Sequence, residues 1–131
     1  MSLCKYCVTG PVDIVRDVIA FTGAASANLI GYDWGAGIAL STALVAPKSV
    51  NKIVIHNATY TEQGTELTHL KHSTLILWTK GGDPFHPIAW ANKFKQRIKS
   101  SKLVLLPPRA DADAAVVTEA IKLLAPAVTS A

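Results

Sequence analysis

"NLIGYDWGAG", residues 28–37, joins two apolar segments through a turn that carries an aspartate. The first apolar run stops at Gly31, Asp33 follows two positions later, and small residues resume at Gly35. A short run of Leu and Ile that ends at a glycine is typical of a buried strand, and the longer apolar run after Gly35 is typical of a helix. The stretch therefore predicts a strand, a sharp turn at Asp33 and a helix.

The spacing G-x-D-x-G at this turn matches a nucleophile elbow, in which a strained residue lifts its side chain above the end of a sheet. We expect Gly31 and Gly35 to be small because larger side chains would collide across so tight a turn. The helix should begin at about Trp34 and point its N-terminal N–H groups at the Asp33 carboxylate. The spacing alone equally allows Asp33 to serve only as the N-cap of that helix.

Four short apolar runs have the composition of strands that are covered on both faces, since they are rich in Ile, Leu and Val and do not alternate with polar residues. They lie at 27–31, 51–57, 73–79 and 101–107. Helical patterns flank and separate them, at 11–24, 36–48, 87–100 and 111–128. Alternating strands and helices build a parallel sheet. We therefore predict an α/β fold in three layers, with about four parallel strands and helices on both faces.

The helical patterns also predict ends and buried faces. The second helix is apolar all round, so we expect it to be buried and to end before Pro47. The segment 58–72 is polar and is predicted to be a loop, and Asp111 or Asp113 is the expected cap of the last helix. In the first helix, which Gly23 should end, one stripe is expected to contain Ile14, Val15, Val18, Ile19 and Phe21.

Composition sets further limits on class and partners. The chain has 131 residues, of which 50% are hydrophobic and 17% charged, which suits a single domain over residues 1–131. No apolar run reaches the ~20 residues of a membrane span, and no secretory leader is recognisable. Much of the formal net charge of +4 lies at 93–102, as expected for the solvated face of a helix. We expect a cytoplasmic protein that binds neither membrane nor nucleic acid.

Two cysteines, Cys4 and Cys7, form a C-x-x-C pair near the N-terminus. A redox pair should follow a strand and open a helix, and a zinc site needs two further ligands at matching spacing. Neither condition is met, so the pair is interpreted as reduced thiols in a reducing compartment. We predict no cofactor and no resident metal.

A family resemblance becomes visible over residues 11–107. The segment 29–58, "LIGYDWGAGIALSTALVAPKSVNKIVIHNA", resembles the elbow, helix and next strand of α/β-hydrolases of the epoxide hydrolase and haloalkane dehalogenase type, whose motif is G-x-D-W-G. The segment 70–107 resembles the following strand, acid-bearing turn, helix and last strand. The resemblance implies the C-terminal half of an α/β-hydrolase fold and a small apolar substrate.

The resemblance also implies roles for single residues. Asp33 matches the nucleophile that attacks carbon and forms an alkyl ester. Trp34 matches the residue whose N–H stabilises an oxyanion and whose indole contacts substrate, and Tyr32 stands where epoxide hydrolases commonly carry histidine. Asp83 matches the acid that orients the catalytic histidine; an ordinary turn aspartate is its alternative reading.

The sequence departs from the family pattern at several points. No histidine follows the last strand, where the chain reads "PPRADADAA" at 107–115. Only about two dozen residues precede the elbow, so the family's earlier strands and one oxyanion N–H are missing. Residues 58–72 replace a lid domain. Because ester hydrolysis needs a water activated by histidine, we expect a single alkylation, with turnover absent or weak.

Two histidines are candidates for a substitute base. His56 ends the second strand and His86 follows Asp83, so both should lie at the carboxyl edge of the sheet, where sites of α/β proteins gather. Their spacing with Asp33 and Asp83 does not define a metal site. His69 and His72 fall in the segment before the third strand.

The missing earlier strand would leave the elbow strand at an open, apolar sheet edge, which favours association. We expect either a two-fold homodimer through that edge or cover from "LCKYCVT" at 3–9. The chain is thus interpreted as a weak hydrolase, as a non-catalytic binding or assembly module, or as a truncated product of a longer gene.

Overall fold

The computed structural model describes residues 9–60, 65–81, 84–108 and 112–125. Within them, four strands alternate with four α-helices in chain order. The strands are β1 (Ala27–Tyr32), β2 (Val50–His56), β3 (Thr74–Thr79) and β4 (Ser101–Leu106). The helices are α1 (Thr9–Thr22), α2 (Trp34–Val45), α3 (Ile88–Arg97) and α4 (Ala112–Leu124).

The strands form one parallel sheet in the order β1-β2-β3-β4. This confirms the predicted α/β fold class. Each of the four strands begins and ends within one residue of its predicted bounds. The expected cover on both faces holds for β2 and β3, which are mostly buried, since such strands must be apolar on both faces. It is wrong in part for the edge strands, where Ile30 of β1 and Leu105 of β4 are exposed.

Helices cover the sheet on both faces, which makes three layers. On one face, α2 and α3 bury a continuous core in which Leu40, Ile55 and Phe94 are fully enclosed, and α1 lies against α2. On the other face, α4 packs Ala120 against Leu77 and Leu106. α2 ends at Val45, before Pro47, as that proline predicts.

Aromatic packing closes the first core beneath the carboxyl edge of the sheet. The rings of Tyr60 and Phe94 meet edge to face, with centroids 5.2 Å apart and planes at 90°, a geometry that aromatic quadrupoles favour. The indole of Trp78 is fully buried and lies 6.2 Å from the Phe94 ring. These contacts fix the chain that leaves β2 and β3 toward the candidate site.

The predicted apolar stripe of α1 is wrong in part. Ile14, Val18 and Phe21 are exposed, whereas Val12 and Ile19 are buried. The buried face therefore follows the spacing of 12 and 19, two turns apart, and one helix face faces solvent despite its apolar residues. Gly23 ends the helix as expected, in a left-handed conformation with φ of 76°.

The described parts of the segment 58–72 contain regular and buried structure, which a polar loop would lack. Ala58 and Tyr60 are buried directly after β2, and a 3-10 helix covers Thr65–His69. Leu67 and Leu70 from this segment join the first core. These two leucines, three residues apart, anchor the short helix to the core. The polar residues around them make this apolar spacing hard to recognise in the sequence.

No helix in the described parts of the chain is long and apolar enough to cross a membrane. Four residues with predicted roles lie outside the described residues: Asp83, Asp111, Cys4 and Cys7. The same holds for the side chain of Asp113. The predictions made for these positions therefore remain predictions.

Replacing Leu67 by Ala should lower the free energy of unfolding by about 2–5 kcal/mol, because Leu67 is fully buried and its loss leaves a cavity. Ile14→Ala is the matched control and should change stability by less than about 0.5 kcal/mol, since Ile14 is exposed. Urea denaturation followed by circular dichroism measures both, and equal losses would contradict the packing of this segment.

Candidate active site

The turn between β1 and α2 is the strained point of the chain. Asp33 occupies it with φ of 50° and ψ of −112°, a conformation that costs a non-glycine residue of order 1–3 kcal/mol. The strain predicted for an elbow is therefore present. The backbone still makes its hydrogen bonds, from Asp33 N to His56 O at 3.1 Å and from Ala36 N to Asp33 O at 3.2 Å.

Gly31 makes this turn possible by letting two backbones touch. A Cβ on Gly31 would lie 2.3 Å from the carbonyl oxygen of Gly35, which is far inside contact distance. A Cβ on Gly35 would meet nothing within 4 Å. The requirement for a small residue is thus confirmed at Gly31 and wrong at Gly35, because the close approach is between the backbone of α2 and the Cα of Gly31.

The Asp33 side chain does not cap α2, since it makes no hydrogen bond to the helix N–H groups. Its Oδ1 instead accepts from Thr59 Oγ1 at 2.9 Å and pairs with His86 Nε2 at 2.9 Å. The reading of Asp33 as a simple N-cap is therefore wrong. The strained turn directs the carboxylate over the carboxyl edge of the sheet instead.

His86 is held by its neighbours in the segment that follows β3. Trp78 Nε1 donates to the His86 carbonyl at 3.0 Å, and α3 begins immediately afterwards with Pro87 as its N-cap. The imidazole is only 10% exposed, and the Tyr32 ring lies 6.4 Å from it. A buried indole and a helix start thus position the ring beside Asp33.

His56 has different partners from His86. It is buried at the end of β2, and its Nε2 is hydrogen-bonded to Thr79 Oγ1 at 2.9 Å. The Tyr32 ring stacks at a tilt against it, 5.1 Å away. The two histidines predicted to gather at this edge do so, and Tyr32 lies against both.

Asn57 and Thr59 also lie at the site, although no catalytic motif in the sequence predicts them. Asn57 adopts a φ of 44° and its side-chain oxygen accepts from Thr79 N at 3.0 Å, so it turns the chain as β2 ends. Thr59 follows two residues later and reaches Asp33. The signal was the cluster "HNAT" at a strand end, where asparagine tolerates left-handed backbone and side-chain hydrogen bonds fix the turn.

The charges at the site are set by donor and acceptor roles. An ionised carboxylate accepts only, so Nε2 of His86 must carry a proton when it bonds to Asp33. The N-terminus of α2 lies directly behind, and its first residue, Trp34, has an N–H with no acceptor inside the helix. This end of the helix dipole favours negative charge at Asp33.

The remaining predicted site residues have simple placements. The Trp34 side chain is 79% exposed and Tyr32 is also exposed. His72 bonds through Nε2 to the Pro47 carbonyl at 2.8 Å, away from Asp33. Among the described residues, no group of three His, Cys, Asp or Glu side chains could hold a metal ion.

Comparison with known proteins shows the family. The model of the α/β hydrolase fold matches residues 5–87, a range that includes β1, β2, β3 and the turn at Asp33. This chain therefore belongs to the α/β-hydrolase fold family. No curated protein sequence matches it significantly.

Solved structures with the same fold are distant in sequence. A predicted CIB-like hydrolase from Thermoplasma acidophilum is 22% identical, with a TM-score of 0.77 over 93% of this chain. The hydrolase MGS-MChE2, from the metagenome of Mar Chica lagoon sediments, is 17% identical, with a TM-score of 0.73 over 92%. The meta-cleavage product hydrolase CumD from Pseudomonas fluorescens IP01 is 13% identical, with a TM-score of 0.72 over 86%. Identity this low establishes the fold alone.

The relatives are longer than this chain. It covers 64% of the Thermoplasma chain, 76% of the Mar Chica chain and 68% of the CumD chain.

Gly31→Ala should destabilise the protein by about 1–3 kcal/mol, because the new methyl group would overlap the Gly35 carbonyl and force the turn apart. Gly35→Ala is the matched control. It adds a methyl group in open space at the start of α2 and should be neutral or stabilising by up to about 1 kcal/mol. Urea denaturation of both variants checks the difference, and equal stabilities would contradict the backbone contact.

Proposed function

We propose that this protein is a hydrolase of the epoxide hydrolase or haloalkane dehalogenase type, with Asp33 as nucleophile and His86 as base. Its substrate is a small apolar molecule with an electrophilic carbon. The observation that carries the proposal is the hydrogen bond of 2.9 Å between His86 Nε2 and a carboxylate raised on a strained turn. An ester mechanism needs these two groups in contact.

In the first step, an Asp33 oxygen attacks the electrophilic carbon. A C–O bond forms, and the carbon–halogen bond or the epoxide C–O bond breaks with its electron pair on the leaving atom. A halide leaves as an anion; an epoxide oxygen takes a proton from solvent. The product is an alkyl ester of Asp33, and a serine or threonine in this place would not give the same intermediate.

In the second step, water attacks Cγ of the ester. His86 takes a proton from that water, and the tetrahedral intermediate collapses to release the alcohol, which receives the proton. Ester formation removes the charge of Asp33, so the carboxylate no longer stabilises a proton on Nε2 of His86. The neutral imidazole can then act as the base. The family pattern gives this role to a histidine after the last strand.

Turnover in this site should be slow. The Asp33 carboxylate is 35% exposed and the neighbouring Trp34 indole is 79% exposed. Two surface depressions among the described residues, one beside α1 and one between β1 and α4, are lined by residues other than Asp33 and His86. Water therefore screens the charges that a closed site would strengthen.

Incubation with styrene oxide or butyl bromide should give an Asp33 ester that intact mass and peptide mapping detect. Asp33→Asn should abolish this adduct, because an amide is a poor nucleophile. His86→Gln keeps a hydrogen-bond donor but removes the base, so the adduct should form and persist, with hydrolysis slowed ~10²-fold or more.

Controls separate this chemistry from general alkylation. Mapping distinguishes the Asp33 ester from thioethers on Cys4 and Cys7, which Asp33→Asn would leave unchanged. His69→Gln changes an exposed histidine outside the site, so this variant should hydrolyse the ester at the rate of the unmodified protein. An adduct that persists in His56→Gln but not in His86→Gln would show that His56 is the base. An adduct absent from the unmodified protein and from all variants would refute the proposal.

A second candidate function is assembly through β1. In the described part of the chain, β1 has a strand on one side only, so its other edge presents backbone N–H and C=O groups. Beside that edge lies an apolar groove between β1 and α4, where Ile30, Val117 and Ile121 are all more than half exposed. Antiparallel pairing of β1 with β1 of a second copy would join both grooves about a two-fold axis.

Light scattering after size exclusion should give twice the chain mass if β1 pairs in this way. Ile30→Lys should yield monomers, because a charge would be buried at the centre of the apolar contact. Val45→Lys alters an equally apolar, half-exposed residue at the far end of α2 and should leave the dimer intact. A monomer before any substitution would exclude this interface.

A further inference from the structure

Thr59 makes a contact with the candidate nucleophile that the family resemblance does not imply. Its hydroxyl donates to Asp33 Oδ1 at 2.9 Å. The same oxygen pairs with His86 Nε2 at 2.9 Å. Two donors from different strand ends therefore converge on one oxygen of the carboxylate.

The backbone around Thr59 holds this hydroxyl in place. Ala58 before it and Tyr60 after it are buried, and Tyr60 is fixed edge to face against Phe94. The left-handed turn at Asn57 sets the direction in which the chain leaves β2. Thr59 itself is exposed on the site side, so the hydroxyl reaches Asp33 from a rigid segment.

We propose that the Thr59 hydroxyl is an oxyanion donor for hydrolysis of the Asp33 ester, an inference that rests on the proposed function. The two hydrogen bonds to Oδ1 reduce its charge and fix its direction, so we take Oδ1 as the carbonyl oxygen of the ester and Oδ2 as the oxygen that attacks. When water adds to Cγ, the electron pair of the C=O bond moves onto Oδ1. The Thr59 O–H then faces a full negative charge, and the hydrogen bond strengthens.

The family pattern stabilises the oxyanion with more than one donor. The resemblance assigns one of these donors, an N–H group, to Trp34. Thr59 approaches from the end of β2 and offers a second donor to the same charge. Only interactions that are stronger in the transition state than in the ground state accelerate a step. The Thr59 hydroxyl should therefore accelerate hydrolysis of the Asp33 ester far more than its formation.

The test compares Thr59→Val with Thr59→Ser in the full chain. Valine keeps the shape and removes the donor; serine keeps the donor. After alkylation with styrene oxide, rapid removal of excess reagent allows decay of the Asp33 ester to be followed by intact mass. Thr59→Val should slow decay about tenfold, less than the ~10²–10³-fold seen for enclosed oxyanion-hole donors because Thr59 is exposed. Thr59→Ser should decay at nearly the original rate.

The two rate constants identify which idea fails. Alkylation of Thr59→Val should stay within about threefold or rise, because the donor no longer withdraws charge from the carboxylate. An ester that decays equally fast with valine overturns the role of Thr59 and leaves the proposed function standing. Equal losses in alkylation and decay would show a merely structural role, and absence of any ester in the unmodified protein would overturn both proposals.

Discussion

The close contact of Gly31 with the Gly35 carbonyl is the constraint on which the site depends. It lets β1 run directly into α2, with a single residue, Asp33, absorbing the change in direction at a φ of 50°. A looser turn would allow the carboxylate to fold back onto the helix as a cap. In the actual turn the carboxylate stands above the sheet edge, and the buried core beneath α2 offsets the strain.

The parallel order of the strands brings residues from other connections next to this turn. The carboxyl ends of β1, β2 and β3 meet at one edge, so residues far apart in the chain become neighbours: Asp33 after β1, Thr59 after β2 and His86 after β3. Each arrives from a different connection, and each connection is fixed by the core, through Tyr60 against Phe94 and through Trp78 on the His86 carbonyl. The geometry of the candidate site is thus a consequence of sheet topology.

Two surfaces of the described structure are exposed to solvent. The candidate site is open to water, and the β1 edge carries an apolar groove on the side of α4. These exposed surfaces underlie both the slow turnover and the association proposed above. Thr59 and His86 each contact Asp33 directly, through hydrogen bonds of 2.9 Å.

The sequence by itself determined the fold class, the four strands, the end of α2 before Pro47 and the position of the strained aspartate, because these depend on local patterns of apolar, glycine and proline residues. Only the tertiary structure decided that Gly31 and not Gly35 must be small, that Leu67 is core, that the buried face of α1 contains Val12, and that His86 and Thr59 share one oxygen of Asp33. The physical reason is that a local sequence pattern indicates which residues of one segment face the core and which face solvent. Contacts between side chains of different segments depend instead on the register of the parallel sheet, which brings the ends of its strands together.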